Sequence, residues 1–217
     1  MTRSYWERFD GPVGDAIAEL NRAALANTVA ALVTHLLVRQ RRTGRAPIPD
    51  EAALLALHET ATQFLLHKPG RYRRCAVHVN DPDRDFTLWG APHVKIPALM
   101  RRFFRDLRAL WKTGDALDVA AFALWRIASI HPFVNGNGRT ADAFAYACLC
   151  LKLGALLPEH ENIMRAIRTE ETGYWNALTL AHRSRFDGKA DLRALKAYLD
   201  ALLLRQVRAA QGTRLGR

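Results

Sequence analysis

His131-Pro132-Phe133-Val134-Asn135-Gly136-Asn137-Gly138-Arg139-Thr140 is a polar, glycine-containing connection set between two apolar stretches. Val119 to Ile130 precedes it with one charged residue, Arg126, and Ala141 to Leu151 follows with one, Asp142. Core-forming sequence on both sides makes this an unusual place for a polar loop. Proline at 132 forbids continuation of the preceding helix. Gly136 and Gly138 permit backbone conformations closed to other residues, and consecutive amides running into a helix N-terminus form donors suited to phosphate. Arg139, on the first turn of that helix, can neutralise the same anion with a forked pair of hydrogen bonds. His131 is the one group of the loop whose ordinary pKa lies near neutrality, as a general base requires. A histidine before proline can also serve as a helix-terminal residue, and Gly-Asn-Gly is a common turn. The loop alone therefore leaves catalysis and plain capping both open.

Working outward, periodicity predicts mostly helix. A helix is expected from about Asn137 to Leu153 and another from about Asp118 to Ser129. Leu99, Phe103, Phe104, Leu107, Leu110 and Trp111 line one closed by Gly114 and opened by the linker Pro92 to Pro97. Tyr72, Cys75, Val77, Val79, Phe86, Leu88 and Trp89 surround the turn cluster Asn80 to Asp85, which predicts a β-hairpin. Ala52 to Leu66 is expected to be helical up to Lys68-Pro69-Gly70, with Pro49 at its first position and Asp50 and Glu51 complementing its N-terminus. Ile17, Leu20, Ala24, Val29, Leu32, Leu36 and Leu37 predict a long amphipathic region from about Val13 to Arg42, in one helix or two. Downstream, helices are expected near Glu159 to Arg168, Glu170 to His182 and Lys189 to Ala209. The expectation is one domain over residues 1–217, all-α apart from the hairpin.

With 217 residues, 49% hydrophobic and 24% charged, the chain has the composition of a folded globular domain and not of a disordered or disulfide-built one. Cys148 and Cys150 flank Leu149 in an apolar run, and with Cys75 they match neither a redox nor a zinc spacing, so reduced, buried thiols are expected. His58, His67, His78, His93, His160 and His182 show no metal-ligand spacing and are assigned no site. No apolar run approaches the ~20 residues of a membrane span. The first residues lack a secretory core, so a cytoplasmic protein is expected, delivery to another cell being left open. The excess of 32 Lys and Arg over 21 Asp and Glu gives a net charge of +11. Its spread over many segments reads as solvated helix faces, and a nucleic-acid partner is not expected.

The ten-residue string resembles the signature loop of the Fic family, His-Pro-Phe-x-[Asp/Glu]-Gly-Asn-[Gly/Lys]-Arg, at every fixed position but one. Pro69-Gly70-Arg71-Tyr72-Arg73, Val94 to Met100, Ile130, Tyr174 and Ala177-Leu178 extend the likeness to about residues 48–185. The resemblance implies a Fic-like helical bundle with a small β-hairpin flap. It further implies transfer of AMP or another phosphate-containing group, from ATP or a related nucleotide or diphosphate donor, to a protein Ser, Thr or Tyr hydroxyl. On this reading His131 is the base, Phe133 the buried loop anchor, and Gly136, Asn137 and Gly138 the phosphate cradle. Arg139 binds phosphate and stabilises developing charge, and the protein target docks on the hairpin 75–89 by strand addition.

Two positions depart from the pattern. Asn135 replaces the carboxylate that holds Mg²⁺ in the family, and a neutral amide is a weaker partner for a hard dication. Asp142 replaces a second arginine; it could pair with Arg139 one turn away or supply the carboxylate that Asn135 lacks. Mg²⁺ use is left open, with Asn135 and Asp142 as the candidate ligands. The inhibitory Ser/Thr-x-x-x-Glu-Gly/Asn motif of the family is missing, and self-inhibition through it is not expected. An inactive nucleotide-binding or interaction module of the same fold is the alternative.

Overall fold

The computed structural model describes residues 6–9, 11–81, 86–157, 163, 166–167, 171–184 and 190–215. In chain order these form α1 (Gly11–Thr43), α2 (Glu51–Thr62), β1 (His78–Asp81), β2 (Phe86–Trp89), α3 (Ile96–Thr113), α4 (Ala116–Ile130), α5 (Asn137–Leu153), α6 (Glu171–Arg183) and α7 (Arg193–Leu215). The two apolar stretches around the loop become α4 and α5, which pack against each other at the centre. Almost every residue of α5 from Asn137 to Leu151 is buried, as is α4 from Val119 onward with the exception of Phe122 and Arg126. Continuous apolar sequence of this kind specifies a helix surrounded on all sides. Accordingly α1 and α2 cover α5, while α3, α6 and α7 cover α4.

Local signals set the ends. Asp115 caps α4, accepting from the Asp118 amide, while the Asp118 carboxylate accepts from the Asp115 amide. This reciprocal box starts the helix at Ala116, ahead of the expected Asp118. Lys196 of α7 then donates to both carboxylates at 2.7 and 2.6 Å. Gly154, left-handed at φ 77°, ends α5 by donating to the Cys150 and Leu151 carbonyls. Asp50 is the cap of α2, accepting from the Ala53 amide at 3.0 Å, so Pro49 stands before the helix and not in its first turn.

Of the two arrangements left open for the N-terminal region, the chain adopts the single helix, 33 residues long. Several expectations are corrected. The second helix stops at Thr62 and not Leu66, because Gln63 turns extended and Phe64 adopts φ 65°. Cys75 is exposed; only Cys148 and Cys150 are buried thiols. The expected helix at 159–168 lies outside the described residues, save for Ile163, Ala166 and Ile167, which are buried.

The expected hairpin flap from Cys75 to Trp89 is corrected as well. Pairing is confined to the register from His78↔Trp89 to Asp81↔Phe86, and Cys75 to Val77 lie outside any strand. Among the described residues, the main contacts of these two short strands are with each other. An isolated two-stranded ribbon is marginal in water, so it forms neither a flap over the loop nor an edge on which a target could add a strand. The fold is an all-α bundle, and the docking of a protein partner on residues 75–89 falls with the flap. No helix of the described residues is long and apolar enough to cross a membrane.

Candidate functional site

The α4–α5 loop is held along its length. His131 closes α4 in the left-handed region, φ 53° and ψ 60°, an uncommon conformation for a non-glycine residue and more so before proline. Neighbouring chain holds it there. The Ala91 amide donates to the Ile130 carbonyl at 3.1 Å, and the Arg73 amide donates to the Pro132 carbonyl at 2.9 Å. Between them the Arg73 guanidinium, 3% exposed, donates Nε to the His131 carbonyl at 2.7 Å. Its two Nη groups donate to the Cys75 and Ala91 carbonyls, each at 2.5 Å.

The second half of the loop folds on Phe133. Its ring is fully buried, stacked on His58 at 3.7 Å with 7° between planes, and lies 5.5 Å from Tyr72. Asn137 clasps the Phe133 backbone from both sides, accepting its N–H and donating to its carbonyl, each at 2.9 Å. The Asn137 side chain is thereby committed to the loop and offers an incoming anion only its backbone amide. His58 donates Nε2–H to the Asn135 carbonyl at 3.0 Å and accepts the Gly70 amide on Nδ1 at 2.9 Å. Gly136 turns at φ 76° beneath Thr62, where a Cβ would meet Thr62 Cγ2 at 2.5 Å; only glycine fits. Thr140 then donates both its amide and its hydroxyl to the Gly136 carbonyl, at 3.0 and 2.9 Å.

That first helical bond leaves the amides of Asn137, Gly138 and Arg139 ahead of the α5 ladder, where the helix dipole favours negative charge. Gly138 is exposed, with open space where a Cβ would stand. Arg139 is 7% exposed and lies beneath Trp6, its guanidinium carbon 4.4 Å from the ring centroid. The segment carrying Trp6 is pinned to the turn after α2. Glu7 and Arg8 amides donate to the Leu65 carbonyl at 3.1 and 3.3 Å, and the Glu7 carboxylate accepts the His67 amide at 2.8 Å.

Burial first, then the Arg73 and His182 charges, outweigh a backbone contact and push the His131 imidazole down to about 4. Its Nδ1 faces the Ala128 carbonyl at 3.4 Å. Only an N–H can face a carbonyl, so Nε2 carries the lone pair. His182 hydrogen-bonds through Nδ1 to Ser129, two residues before the base, at 3.0 Å. Beside this end of the loop a cleft of about 410 Å³ opens among Trp89, Pro92, Leu99, Arg102, Arg126 and Ile130.

His131, Phe133, Gly136, Asn137, Gly138 and Arg139 are thus brought together on one loop and helix start. Asn135, half-buried, turns its amide oxygen back to accept the Gly136 amide at 2.6 Å, and Asp142 is buried on α5. A hard dication favours several oxyanion ligands. An amide oxygen already accepting a backbone N–H fits poorly, and among the described residues no three His, Cys, Asp or Glu converge to hold a metal. Arg73, His58 and His182 were not singled out as site residues from the sequence. For His58 a signal existed: Leu54, Leu57, His58 and Ala61 form the buried stripe of α2, and a histidine on such a stripe needs partners.

The described site is thus one internal loop of a helical bundle that brings a histidine and a glycine-containing helix start together. Residues 48–149 match the model of the Fic/DOC family, and this segment is a Fic/DOC-family domain. The fold is shared with a Fic domain-containing signalling protein from Bacteroides thetaiotaomicron VPI-5482, at TM-score 0.72 and 18% identity over 94% of this chain and 75% of that one. A Fic family protein from Desulfovibrio desulfuricans G20 is similar at TM-score 0.63 and 22% identity, over 93% of this chain and 66% of that one. Fic-1 (residues 134–508) from C. elegans is similar at TM-score 0.61 and 19% identity, this chain covering 53% of that length. At these identities the likeness is one of fold. No curated protein sequence matches the chain.

Proposed function

We propose that the protein is a Fic-type transferase that moves AMP, or another phosphate-containing group, from ATP or a related nucleotide or diphosphate donor to a hydroxyl on a protein. One observation supports this most. The carbonyls of Ile130, His131, Pro132, Phe133, Asn135 and Gly136 all accept hydrogen bonds from fixed partners. A loop so immobilised keeps its base and its amide cradle in one geometry, and such preorganised donors are the strongest source of transition-state stabilisation.

In the reaction, Nε2 of His131 takes the proton of the attacking hydroxyl. The hydroxyl oxygen bonds to the α-phosphorus, and the bond from that phosphorus to the bridging oxygen of the leaving diphosphate breaks, the electron pair leaving with it. The amides of Asn137, Gly138 and Arg139 hold the phosphate oxygens, and the Arg139 guanidinium offsets charge on the transferred and leaving groups. The low pKa of His131 keeps it neutral before the donor binds; an anion bound nearby raises it and strengthens the base. No step is assigned to Mg²⁺.

A second reading, a nucleotide-binding module without transfer, is favoured by the position of Trp6 over Arg139. Incubating wild-type and His131→Ala protein with lysate and a panel of nucleotide and diphosphate donors, with mass spectrometry for adducts, separates the two. A His131-dependent adduct supports transfer and names the donor. Nucleotide binding without any adduct supports the module.

A further inference from the structure

His58 sits where the two ends of the loop are tied together. Its ring is fully buried, and both nitrogens are committed: Nδ1 to the Gly70 amide, Nε2–H to the Asn135 carbonyl. A single neutral tautomer satisfies both bonds. The ring lies flat on Phe133, and a Cβ on Gly136 would stand 3.5 Å from Nε2, so the loop passes directly over it. Thr62, one turn further along α2, returns its hydroxyl to the His58 carbonyl at 2.7 Å while its methyl closes over Gly136.

The two partners of the imidazole lead to opposite ends of the site. Gly70, at φ 71°, opens the turn that delivers Arg73, and Arg73 holds the His131 and Pro132 carbonyls. Asn135 precedes Gly136, where the amide cradle begins. The same ring thus fixes the segment that holds the base and the segment that holds the anion.

We propose that His58 is a positioning residue that sets the distance between His131 and the amides of residues 137–139, an inference that rests on the transferase reading of that loop. A residue that merely filled the core would require only the stack on Phe133. His58→Phe keeps the stack and removes both hydrogen bonds. His58→Gln restores a donor towards Asn135, and His58→Asn restores an acceptor towards Gly70.

The test reads the full chain in two ways. In ligand-free protein, hydrogen exchange of the hydrogen-bonded loop amides of Phe133, Gly136 and Thr140 rises at least tenfold in His58→Phe, while amides in the middle of α4 and α5 keep their protection. His58→Gln recovers part of that loss. In transfer from ATP, kcat falls at least tenfold in His58→Phe while the KM for ATP changes less than threefold. Unchanged exchange at Phe133, Gly136 and Thr140 in His58→Phe overturns the proposal. So does loss of protection in proportion throughout the bundle that neither His58→Gln nor His58→Asn relieves, because His58 is then core filling alone. If wild-type protein transfers nothing from any donor, the transferase reading fails, and the ligand-free exchange decides the positioning role by itself.

Discussion

Replacing Arg73 with methionine removes a buried cation that bonds only to backbone. The side chain donates to the carbonyls of His131, Cys75 and Ala91 at 2.7, 2.5 and 2.5 Å, and no carboxylate pairs with it among its hydrogen-bond partners. Hydrogen bonds to charged groups are worth about 1.5 kcal/mol or more each, so three of them set a loss of about 4.5 kcal/mol or more in Arg73→Met. The guanidinium is packed closely on the neighbouring backbone, where a Cβ on Gly90 would lie 2.7 Å from Nη2. Arg73→Lys keeps the charge but lacks the planar fork and recovers about half. Urea unfolding followed by circular dichroism measures both. A local readout accompanies the global one: Arg73 charge depresses the His131 imidazole, so its pKa, followed by NMR, rises in Arg73→Met. An unfolding free energy within about 1 kcal/mol of wild type, with an unmoved His131 titration, would refute the reasoning.

Three further outcomes follow from the same geometry. Gly136→Ala must place a methyl against Thr62 at a left-handed φ, and should cost about 3 kcal/mol in chemical denaturation; a loss below about 1 kcal/mol would contradict the packing described. His58, pushed down to about 4 chiefly by burial, is bound by more protons unfolded than folded between pH 6.5 and 4. Its contribution is complete above pH 6.5 and lost as pH falls, by about 2 kcal/mol at pH 5; His58→Phe should lose that part of the acid sensitivity in urea titrations at pH 7 and 5. Trp6→Leu removes the indole over Arg139, worth about 2 kcal/mol when desolvated. It should lower the unfolding free energy by that amount and tighten ATP binding in calorimetry; weaker ATP binding would show that Trp6 supports the site instead of covering it.

The parts legible in the sequence are those written by local chemistry. Pro132 after His131 stops α4, Gly136 and Gly154 bracket α5, and the charge-poor runs on either side of the loop declare two buried helices. The end of α2 was not legible, because the left-handed residue there is Phe64 and not a glycine. The hairpin pattern from Cys75 to Trp89 misled in a physical way. Alternation marks extended chain, but a flap also needs a helical surface to pack on, and strands of four residues provide little of it.

Within the site, residues on the loop announced themselves and the residues that hold it did not. Arg73 looks in sequence like any of the neighbouring surface arginines, Arg71 and Arg74, yet it alone of the three is buried. Its role depends on the His131 and Ala91 carbonyls, brought in from other segments, as well as on that of nearby Cys75, a largely tertiary fact with no local signature. Trp6 reaches Arg139 across more than a hundred residues for the same reason. Asn137 was legible as a loop residue, but its clasp on the Phe133 backbone assigns its side chain to structure, leaving the amides for the anion.

The central claim is that His131 deprotonates a hydroxyl that takes up a phosphate-containing group. The most direct measurement compares wild-type and His131→Ala protein in lysate supplied with ATP labelled at either the α- or the γ-phosphate. Label retained on protein from the α-position with wild type, and lost in His131→Ala while that variant still folds, is the expected result. Equal labelling by His131→Ala, or none from wild type that demonstrably binds ATP, would contradict it.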